Sequence, residues 1–321
     1  MEPTKRLRQL LQAPGPILAP GIYDCISAKV VERAGFDAAF VSGAAVTASV
    51  LGYPDVGLQT MPEILAQVRN MARAVEIPLI VDIDTGYGNA LNMMRAIREF
   101  ESAGAAGVFF EDQGFPKRCG HFEGKKLVST EEMAVKVRAA CEARRSPDFI
   151  IIARTDARAI EGLDRAIERS HAYVEAGADA IFIEALLSED EMRKVAAAVK
   201  VPLQANMSEG NVKTPMVHYK KLHEIGFKII SYSGLLQRTA VKGMQNALGV
   251  LREKGSAESL YPDHLCSLID RSELLGLQKF YRLEERLYGP LLDTEKSWRS
   301  QLDAQATSAG AGAGAGDKLP F

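Results

Sequence analysis

Eight short apolar segments recur at near-regular spacing along the first 231 residues of the chain. Segments such as residues 79–81 (Leu-Ile-Val) and 150–152 (Ile-Ile-Ile) are apolar throughout, which is typical of parallel strands that are covered on both faces. The predicted strands span residues 17–19, 38–41, 78–82, 107–110, 149–153, 180–183, 201–205 and 227–231.

Amphipathic segments of helical length lie between these strands. One begins Ser-Thr-Glu-Glu, with Glu132 three residues after Ser129, which is the pattern of a capping box at a helix start. Three others end at Gly35, Gly104 and Gly177, and glycine commonly stops a helix. The predicted helices span residues 25–34, 62–74, 89–103, 129–144, 163–176, 189–199, 215–225 and 235–254.

The alternation of strands and helices predicts an α/β fold, a closed (β/α)8 TIM barrel, over about 240 residues. A phrase built around Ala-Gly recurs where a helix feeds a strand, at residues 34–38, 103–107 and 176–180, which indicates a repeated βα unit. An open, doubly wound sheet is the alternative, but eight evenly spaced strands favour closure. We therefore assign residues 1–255 to a barrel domain.

The chain beyond the barrel has a different character. Residues 256–305 form a predicted C-terminal helical extension with a broad apolar face, which includes Leu274, Leu277 and Phe280. Such a face must pack against something, and a neighbouring subunit could supply the surface. Residues 306–321 are a low-complexity Ala/Gly tail, for which we predict disorder and no chemistry.

Composition narrows the class of protein. Apolar residues make up 47% of the chain and charged residues 25%, and the net charge of −2 gives no broad electrostatic reason to bind nucleic acid or an anionic membrane. No uncharged apolar run approaches the roughly 18–20 residues that cross a bilayer. Residues 1–12 are polar and basic, which is unlike a secretory signal.

The cysteines are few and scattered. Cys25, Cys119, Cys141 and Cys266 have neither the spacing of a disulfide framework nor that of a zinc site. We therefore expect a reducing, cytoplasmic location.

Polar residues stand at the carboxyl ends of most predicted strands. Because barrel enzymes place their catalytic groups at these ends, we expect the side chains to converge on one mouth. The set comprises Ser42, Gly43, Asp82, Asp84, Glu111, Asp112, Arg154, Asp156, Glu184, Asn206, Ser233 and Gly234.

Asp82 and Asp84 are the candidate metal ligands. They lie two residues apart on a strand, so both side chains point the same way and repel each other unless a cation lies between them. Mg²⁺, or Mn²⁺ in its place, takes few protein carboxylates and keeps positions for substrate oxygens. Glu111, one strand over, could hold a metal-bound water. The alternative interpretation is a helix cap and a turn aspartate.

Residues 114–126, here called the thiol loop, are the most informative stretch. Cys119 has Lys117, Arg118 and His121 as sequence neighbours, and nearby cations stabilise a thiolate. This cysteine is therefore predicted to act as a nucleophile or a proton donor, on a mobile loop that covers the site. A buried, inert cysteine is the alternative, which so charged a loop does not favour.

Together these motifs resemble the isocitrate lyase/phosphoenolpyruvate mutase superfamily. The resemblance covers about residues 18–236, and its most specific part is Pro-Lys-Arg-Cys-Gly-His at 116–121, in order after Asp-Ile-Asp-Thr-Gly-Tyr-Gly at 82–88. The other matching pieces are Gly-Ile-Tyr-Asp at 21–24 with Ser-Ala at 27–28, Val-Ser-Gly at 41–43, Glu-Asp at 111–112, Ala-Arg-Thr-Asp-Ala at 153–157, Ile-Glu at 183–184 and Ala-Asn-Met at 205–207. The resemblance implies a Mg²⁺-dependent barrel whose C-terminal helices swap between subunits of a homotetramer.

The cysteine in the loop motif implies a carbon–carbon lyase within this superfamily. Its substrate would be a 2-hydroxy dicarboxylic or tricarboxylic acid of the 2,3-dimethylmalate or 2-methylisocitrate type. Cleavage would give a 2-oxo acid such as pyruvate and a second carboxylic acid. The stretch at residues 86–92 also resembles an oxaloacetate decarboxylase branch. One alternative is therefore an oxaloacetate decarboxylase or hydrolase. The others are a phosphonomutase and a non-catalytic barrel that serves as a scaffold.

The implied reaction assigns roles to individual residues. Cys119 would protonate the carbanion, and Lys117, His121 and Arg154 would stabilise the charge on the departing fragment. Ser42 and Gly43 would bind the oxo-acid carboxylate. Further substrate contacts are assigned to Tyr23, Gly120, Arg154, Glu184, Asn206 and Ser233. The base that takes the hydroxyl proton is left open between Tyr23, Asp55 and the metal carboxylates, and Phe122, Met207 and Leu235 are candidates for selecting the substituents.

Overall fold

A computed structural model describes residues 1–120, 123–208 and 213–288. The chain divides into two compact units, Met1–Glu253 and Lys254–Phe321. The site lies in the first unit.

The strands of the first unit close into a barrel. They pair in chain order, each parallel to the next, and the last pairs with the first through registers such as Leu18 opposite Ile230. The strands are β1 (Ile17–Ile22), β2 (Ala39–Val41), β3 (Leu79–Asp82), β4 (Gly107–Glu111), β5 (Ile150–Thr155), β6 (Ala180–Ile183), β7 (Leu203–Asn206) and β8 (Phe227–Tyr232). The predicted closed barrel is confirmed.

Helices follow the strands along the chain. Those of the first unit are α1 (Pro3–Gln12), α2 (Cys25–Arg33), α3 (Gly43–Leu51), α4 (Met61–Ala74), α5 (Ala90–Ser102), α6 (Thr130–Ala143), α7 (Leu163–Glu175), α8 (Glu189–Ala198), α9 (Tyr219–Ile225) and α10 (Leu235–Lys254). Helices α11 (Leu268–Leu274) and α12 (Leu277–Tyr288) lie in the second unit, and short 3-10 turns occur at Ala157–Ala159 and Glu258–Leu260.

Two helices were not predicted from the sequence. Helix α3 is built from small and apolar residues with little polar periodicity, so its pattern carries no amphipathic signal. Its start is nevertheless marked, because the Ser42 hydroxyl oxygen accepts a hydrogen bond from the Ala45 N–H at 3.3 Å. Helix α1 is short and basic, and it acquires its role only by packing against the barrel.

Alternation along the strands sorts their side chains into two cores. Residues such as Ile80 on β3 and Ile152 on β5 point into the barrel, while Val81 and Ile151 point out toward the helices. The inner cluster comprises Leu7, Ile17, Ala19, Ala38, Phe40, Ile80, Ala106, Phe109, Ile150, Ile152, Ala180, Phe182 and Ile229. This cluster therefore forms the apolar floor of the barrel mouth, and the next inward positions along the strands lie directly above it.

Helix α1 covers the opposite end of the barrel. Leu7 is fully buried in the inner cluster, and Leu10 and Leu11 pack beside it. This cluster includes residues at the beginnings of strands, such as Ile17 and Ile150, so α1 closes the amino-terminal end.

Replacing Leu7 by alanine is expected to destabilise the barrel by about 2–5 kcal/mol, because a buried leucine leaves a cavity when it is truncated. Thermal unfolding followed by circular dichroism measures this as a lowered Tm, while activity below that temperature stays unchanged. Lys5→Ala, at an exposed position of the same helix, is the matched control. A Tm equal to that of the control would remove α1 from the account of the core.

The second unit is described as far as residue 288. Helices α11 and α12 lie within the predicted extension at 256–305, whereas residues 289–305 and the predicted tail at 306–321 are outside the described residues. Across the helices that are described, none combines the length and the apolar character needed to cross a bilayer.

Candidate active site

The barrel mouth gathers the predicted site residues at the carboxyl ends of the strands. Asp82, Glu111 and Arg154 occupy the first inward positions above the apolar cluster, and all three are buried. The ring of Phe182, from that cluster, lies 5.4 Å from the Arg154 guanidinium carbon and supports it from below. The site is therefore a polar layer on an apolar floor.

Asp82 and Asp84 form a close carboxylate pair. The Asp84 N–H donates to Asp82 Oδ1 at 3.0 Å, and Asp84 has a left-handed backbone with φ of 50°. Burial, and then the charge of Asp84, raise the pKa of Asp82 to about 7. Gly43 closes in from β2, where a Cβ would stand only 2.8 Å from Asp82 Oδ2. The pair is thus a buried site that favours a positive charge.

Lys117 is tied to this pair. Its side chain is buried, and Nζ lies 2.5 Å from Asp55 and 2.6 Å from Asp84. Burial opposes its charge, but the surrounding carboxylates, Asp84 first among them, raise its pKa well above the usual range. The sequence suggested a mobile loop cation, whereas the structure shows one that neutralises Asp84. Asp55, considered earlier only as a possible base, is its second partner.

Arg154 is the centre of the other half of the site. Its Nε and Nη2 donate to the two carboxylate oxygens of Asp156, each at 3.1 Å, in a bidentate pair. Its Nη1 lies 3.3 Å from Glu111, and Nη2 lies 3.5 Å from Glu184. Burial opposes the charge, yet these carboxylates raise its pKa well above the usual range, so the guanidinium stays charged.

One carboxylate oxygen of Glu111 is buried without a hydrogen-bond partner among the described residues. Its Oε2 faces Arg154, but the buried Oε1 has no hydrogen-bond partner among the described residues. Burial raises the pKa of Glu111 well above its usual range. A buried orphan acceptor carries a free-energy cost unless water or a cation satisfies it.

These carboxylates fit a hard divalent cation. Within residues 1–120, 123–208 and 213–288, no group of three or more His, Cys, Asp or Glu side chains forms a ready cage. Mg²⁺ needs no such cage, since it binds through one or two carboxylates and keeps several waters. Asp82 offers a carboxylate whose charged form is otherwise disfavoured, Asp84 lies beside it, and Glu111 offers an orphan oxygen.

The thiol loop reaches the same layer. Cys119 is half-buried, and none of the four cysteines, all of them in described parts of the chain, forms a disulfide. Gly120 lies directly on the site, because a Cβ there would overlap Arg154 Nη2 and Glu184 Cγ. The backbone next to Cys119 is thus in contact with Arg154. His121 and Phe122 lie outside the described residues, so their predicted roles remain predictions.

Ser42 and Gly43 lie at the start of α3. The Ser42 N–H donates to the Ile22 carbonyl oxygen at 3.1 Å, so it serves the barrel and not a ligand. The hydroxyl hydrogen of Ser42 and the backbone of Gly43 are the groups left for the predicted carboxylate site.

The remaining predicted contacts come from β1, β7 and β8. Asn206 Oδ1 accepts from the Ser233 N–H at 3.4 Å, which joins the ends of β7 and β8. Glu184 also accepts from its neighbour Ala185 N–H at 2.8 Å. Tyr23 follows β1 at the same end of the barrel, but its N–H donates to Ser27 within its own loop at 3.0 Å.

Sequence reasoning gave no role to three residues of the site. Asp156 was predicted to lie at the mouth, but only as one of many strand-end residues, and the structure shows that it holds Arg154. Lys125 donates to the Gly120 carbonyl oxygen and lies 4.0 Å from Asp156. Gln113 contacts both Asp156 and the thiol loop. The parity of β5 places Asp156 two positions after Arg154, but no local signal marked Gln113 or Lys125.

One strand-end residue faces away from the mouth. Asp112 Oδ2 accepts from Thr155 Oγ1 at 2.6 Å and from the Tyr173 hydroxyl at 2.8 Å, between the barrel and α7. It is therefore part of the scaffold, and its Oδ1 accepts from the Asp156 N–H at 3.0 Å.

Comparison with known proteins places this geometry in a family. The phosphoenolpyruvate phosphomutase family matches residues 7–251. The 2,3-dimethylmalate lyase of Eubacterium barkeri is 41% identical over 88% of this chain and 98% of its own length. The 2-methylisocitrate lyase of Aeropyrum pernix is 44% identical over 89% of this chain and 91% of its own length.

Solved structures of related enzymes have folds similar to that of this chain. A crystal structure of 2,3-dimethylmalate lyase, described as a PEP mutase/isocitrate lyase superfamily member, has a TM-score of 0.85 at 32% identity and covers 92% of this chain and 99% of its own. Oxaloacetate acetylhydrolase with a difluorooxaloacetate inhibitor has a TM-score of 0.84 at 33% identity, covering 89% and 98%. Phosphonopyruvate hydrolase with oxalate and Mg²⁺ has a TM-score of 0.80 at 32% identity, covering 89% and 99%. The chain belongs to the phosphoenolpyruvate phosphomutase family, in the PEP mutase/isocitrate lyase superfamily.

Proposed function

We propose that the protein is a carbon–carbon lyase that splits a 2-hydroxy dicarboxylic or tricarboxylic acid into a 2-oxo acid, such as pyruvate, and a second carboxylic acid. The observation that carries the proposal is the contact of Gly120 with Arg154 and Glu184. It brings the Cys119 segment to the layer that holds the Asp82 carboxylate. A proton donor and an electrophilic, carboxylate-lined site therefore share one barrel mouth.

The enzyme class follows from the relatives. Those named as 2,3-dimethylmalate lyase and 2-methylisocitrate lyase are 41% and 44% identical over most of this chain. The substrate of this chain is proposed to be of one of these two types.

A divalent cation, Mg²⁺, is proposed as the cofactor. Asp82 would hold it, with Asp84 and Glu111 reached through water. When bound there, the ion would polarise the substrate oxygens and favour loss of the hydroxyl proton. A related structure, phosphonopyruvate hydrolase, contains Mg²⁺ with oxalate.

The chain's own residues account for the rest of the reaction. A base takes the hydroxyl proton, the bond between the carbinol carbon and its neighbour breaks, and the electron pair stays on the departing acid. Burial and the nearby Asp24 raise the pKa of Tyr23, which makes its phenolate scarce at neutral pH. Asp55 and the metal carboxylates are the better candidates for the base.

The charge on the departing acid needs cations and a proton. Arg154 is permanently charged and lies beside Glu184 and Gly120, so it is proposed to bind the developing enediolate. Cys119 then gives its proton to the carbon, and His121 adds positive charge. Lys117 contributes by balancing the charges of Asp55 and Asp84, with which it is paired. The Ser42 hydroxyl and Gly43 bind the oxo-acid carboxylate, and Asn206 and Ser233 orient the other end.

A substrate panel tests this proposal. The purified protein is incubated with Mg²⁺ and, separately, 2,3-dimethylmalate, 2-methylisocitrate, oxaloacetate and phosphonopyruvate, and 2-oxo acid formation is followed. We expect release of pyruvate from one or both of the alkylated hydroxy acids. Failure on both would reject the lyase assignment.

Oxaloacetate cleavage is the second candidate function, because oxaloacetate acetylhydrolase has nearly the same fold as this chain. Consumption of oxaloacetate with no turnover of the hydroxy acids would favour that function over a lyase.

A homo-oligomer is also proposed. Helix α10 has no buried residue over its 20 positions, and Val241, Met244, Leu248 and Leu251 form an exposed apolar stripe at heptad spacing. An exposed apolar stripe of this kind favours contact with a second copy. We propose a tetramer built from dimers that exchange their C-terminal helices.

Placing aspartates at Met244 and Leu248 together is expected to reduce the oligomer to smaller species, since charges are costly in an apolar seam. Size-exclusion chromatography with light scattering measures the mass directly. Val30→Asp, at an exposed apolar position on α2, is the matched control. A wild-type mass of 34.9 kDa, the mass of a single chain, would refute the proposal.

A cytoplasmic location is proposed as well, because four cysteines without a disulfide suit a reducing compartment.

A further inference from the structure

Gln113 is a buried residue whose side-chain amide nitrogen and oxygen both form hydrogen bonds. It follows β4 by two positions and is 1% exposed. Nε2 donates to the Arg118 carbonyl oxygen at 2.8 Å and to Asp156 Oδ2 at 3.2 Å, while Oε1 accepts from the Arg118 N–H at 2.9 Å. One side chain therefore satisfies both backbone groups of Arg118 and also contacts Asp156.

Asp156 carries this contact on to Arg154. The same oxygen, Asp156 Oδ2, accepts from Arg154 Nε at 3.1 Å, and Asp156 is almost fully buried. The Asp156 N–H is itself held by Asp112 at 3.0 Å. A continuous set of hydrogen bonds thus runs from the Arg118 backbone through Gln113 and Asp156 to the Arg154 guanidinium.

The backbone of Gln113 is a fixed base for this arrangement. Gln113 and Leu127 form an antiparallel bridge, and the Gly114 N–H donates to the Lys126 carbonyl oxygen at 2.7 Å. The two ends of the thiol loop are therefore joined next to the barrel. From this base, the Gln113 side chain reaches Arg118, whose two chain neighbours are Lys117 and Cys119.

We propose that Gln113 is a positioning residue, which sets the Lys117–Cys119 backbone at a fixed place relative to Asp156 and so relative to Arg154. The inference rests on the proposed function in one respect, namely that Cys119 and Arg154 act on the same substrate. Gln113 itself does not touch the reacting atoms. Its effect is to bring the proton donor and the guanidinium into register, and small misplacements of this kind cost rate steeply.

The isosteric change Gln113→Glu isolates the amide hydrogens. Glutamate keeps the acceptor for the Arg118 N–H, but its second oxygen would face the Arg118 carbonyl oxygen and the Asp156 carboxylate. Two attractive contacts thereby become repulsive without a change of shape. Gln113→Leu removes all three hydrogen bonds without adding a charge. It is the variant to test if Gln113→Glu does not fold.

The control is Gln204→Glu. Gln204 is also 1% exposed and lies on β7, where its Nε2 donates to Ser231 Oγ at 3.2 Å. This variant buries the same carboxylate in the same barrel but away from Arg118, so it corrects for a general loss of stability.

Hydrogen–deuterium exchange of the peptide at residues 114–120, read by mass spectrometry, is the primary measurement. We expect exchange in both Gln113 variants to be at least about tenfold faster than in wild type and in Gln204→Glu. In cleavage assays, kcat should fall by about 10²-fold with a much smaller change in KM.

Wild-type exchange in Gln113→Glu, or an increase no larger than in Gln204→Glu, would overturn the inference. The same holds if kcat and KM are those of the wild type. The exchange result needs no substrate, so it decides the role of Gln113 even if the substrate panel rejects the lyase assignment.

Discussion

Cys119→Ser is expected to lower kcat for cleavage by about 10²–10⁴-fold, which is the usual contribution of a positioned general acid. A serine hydroxyl has nearly the size of the thiol but is far less acidic, so it gives up its proton poorly to the departing carbanion. The loop and the barrel should be unaffected, because Cys119 is only half-buried. Pyruvate release at saturating substrate and Mg²⁺ measures the loss.

The matched control is Cys266→Ser, at the exposed cysteine of the second unit, which should cleave at the wild-type rate. Both variants should unfold at nearly the same temperature. Near-normal cleavage by Cys119→Ser would remove the thiol from the mechanism and leave Arg154 without a proton donor beside it.

Asp82→Asn is expected to produce the second large effect, a loss of at least about 10²-fold in kcat/KM together with the loss of Mg²⁺ dependence. Asparagine retains an oxygen at the site but no charge, and Mg²⁺ binds chiefly through carboxylates. The metal-free variant should be at least as stable as wild type, because it removes a carboxylate whose charge is disfavoured by burial and then by repulsion from Asp84, the two effects that raise the pKa of Asp82.

Stability provides a readout of Asp82 that is separate from activity. Mg²⁺ should raise the Tm of wild type, as any ligand of the folded state does, and should not raise that of Asp82→Asn. The control Asp164→Asn, at an exposed position in the first turn of α7, should behave as wild type. An equal rise in Tm for all three proteins would place the cation elsewhere.

The polar layer could be read from the sequence because it follows from strand parity. If the side chains of Ile80 and Ile152 point into the barrel, those of Asp82 and Arg154, two residues further along the same strands, must also point inward and lie nearer the mouth. The closed barrel was predicted from the regular spacing of the apolar segments, and the family from the motifs at residues 82–88 and 116–121; both are confirmed. Periodicity and the residue types at strand ends are local properties of the sequence, so they can be recognised without knowledge of the tertiary fold.

Other parts of the site were beyond such reasoning. The pairing of Lys117 with Asp55 joins two loops 62 positions apart, and Gln113 reaches Asp156 across 43 positions. Neither contact leaves a periodic trace in the chain. The packing of Leu7 under the barrel is a third contact of this kind, because only the closed inner cluster shows what the short basic helix α1 packs against.

The central claim is that the Asp82 cation site and the Cys119 thiol open onto one cavity, and protection of the thiol tests it most directly. Alkylation of Cys119 by iodoacetamide is followed by peptide mass spectrometry, with Cys266 as the internal reference. With Mg²⁺ and pyruvate together, the account predicts that Cys119 is alkylated several-fold more slowly in wild type but not in Asp82→Asn. An unchanged rate in wild type, or equal protection in Asp82→Asn, would contradict it.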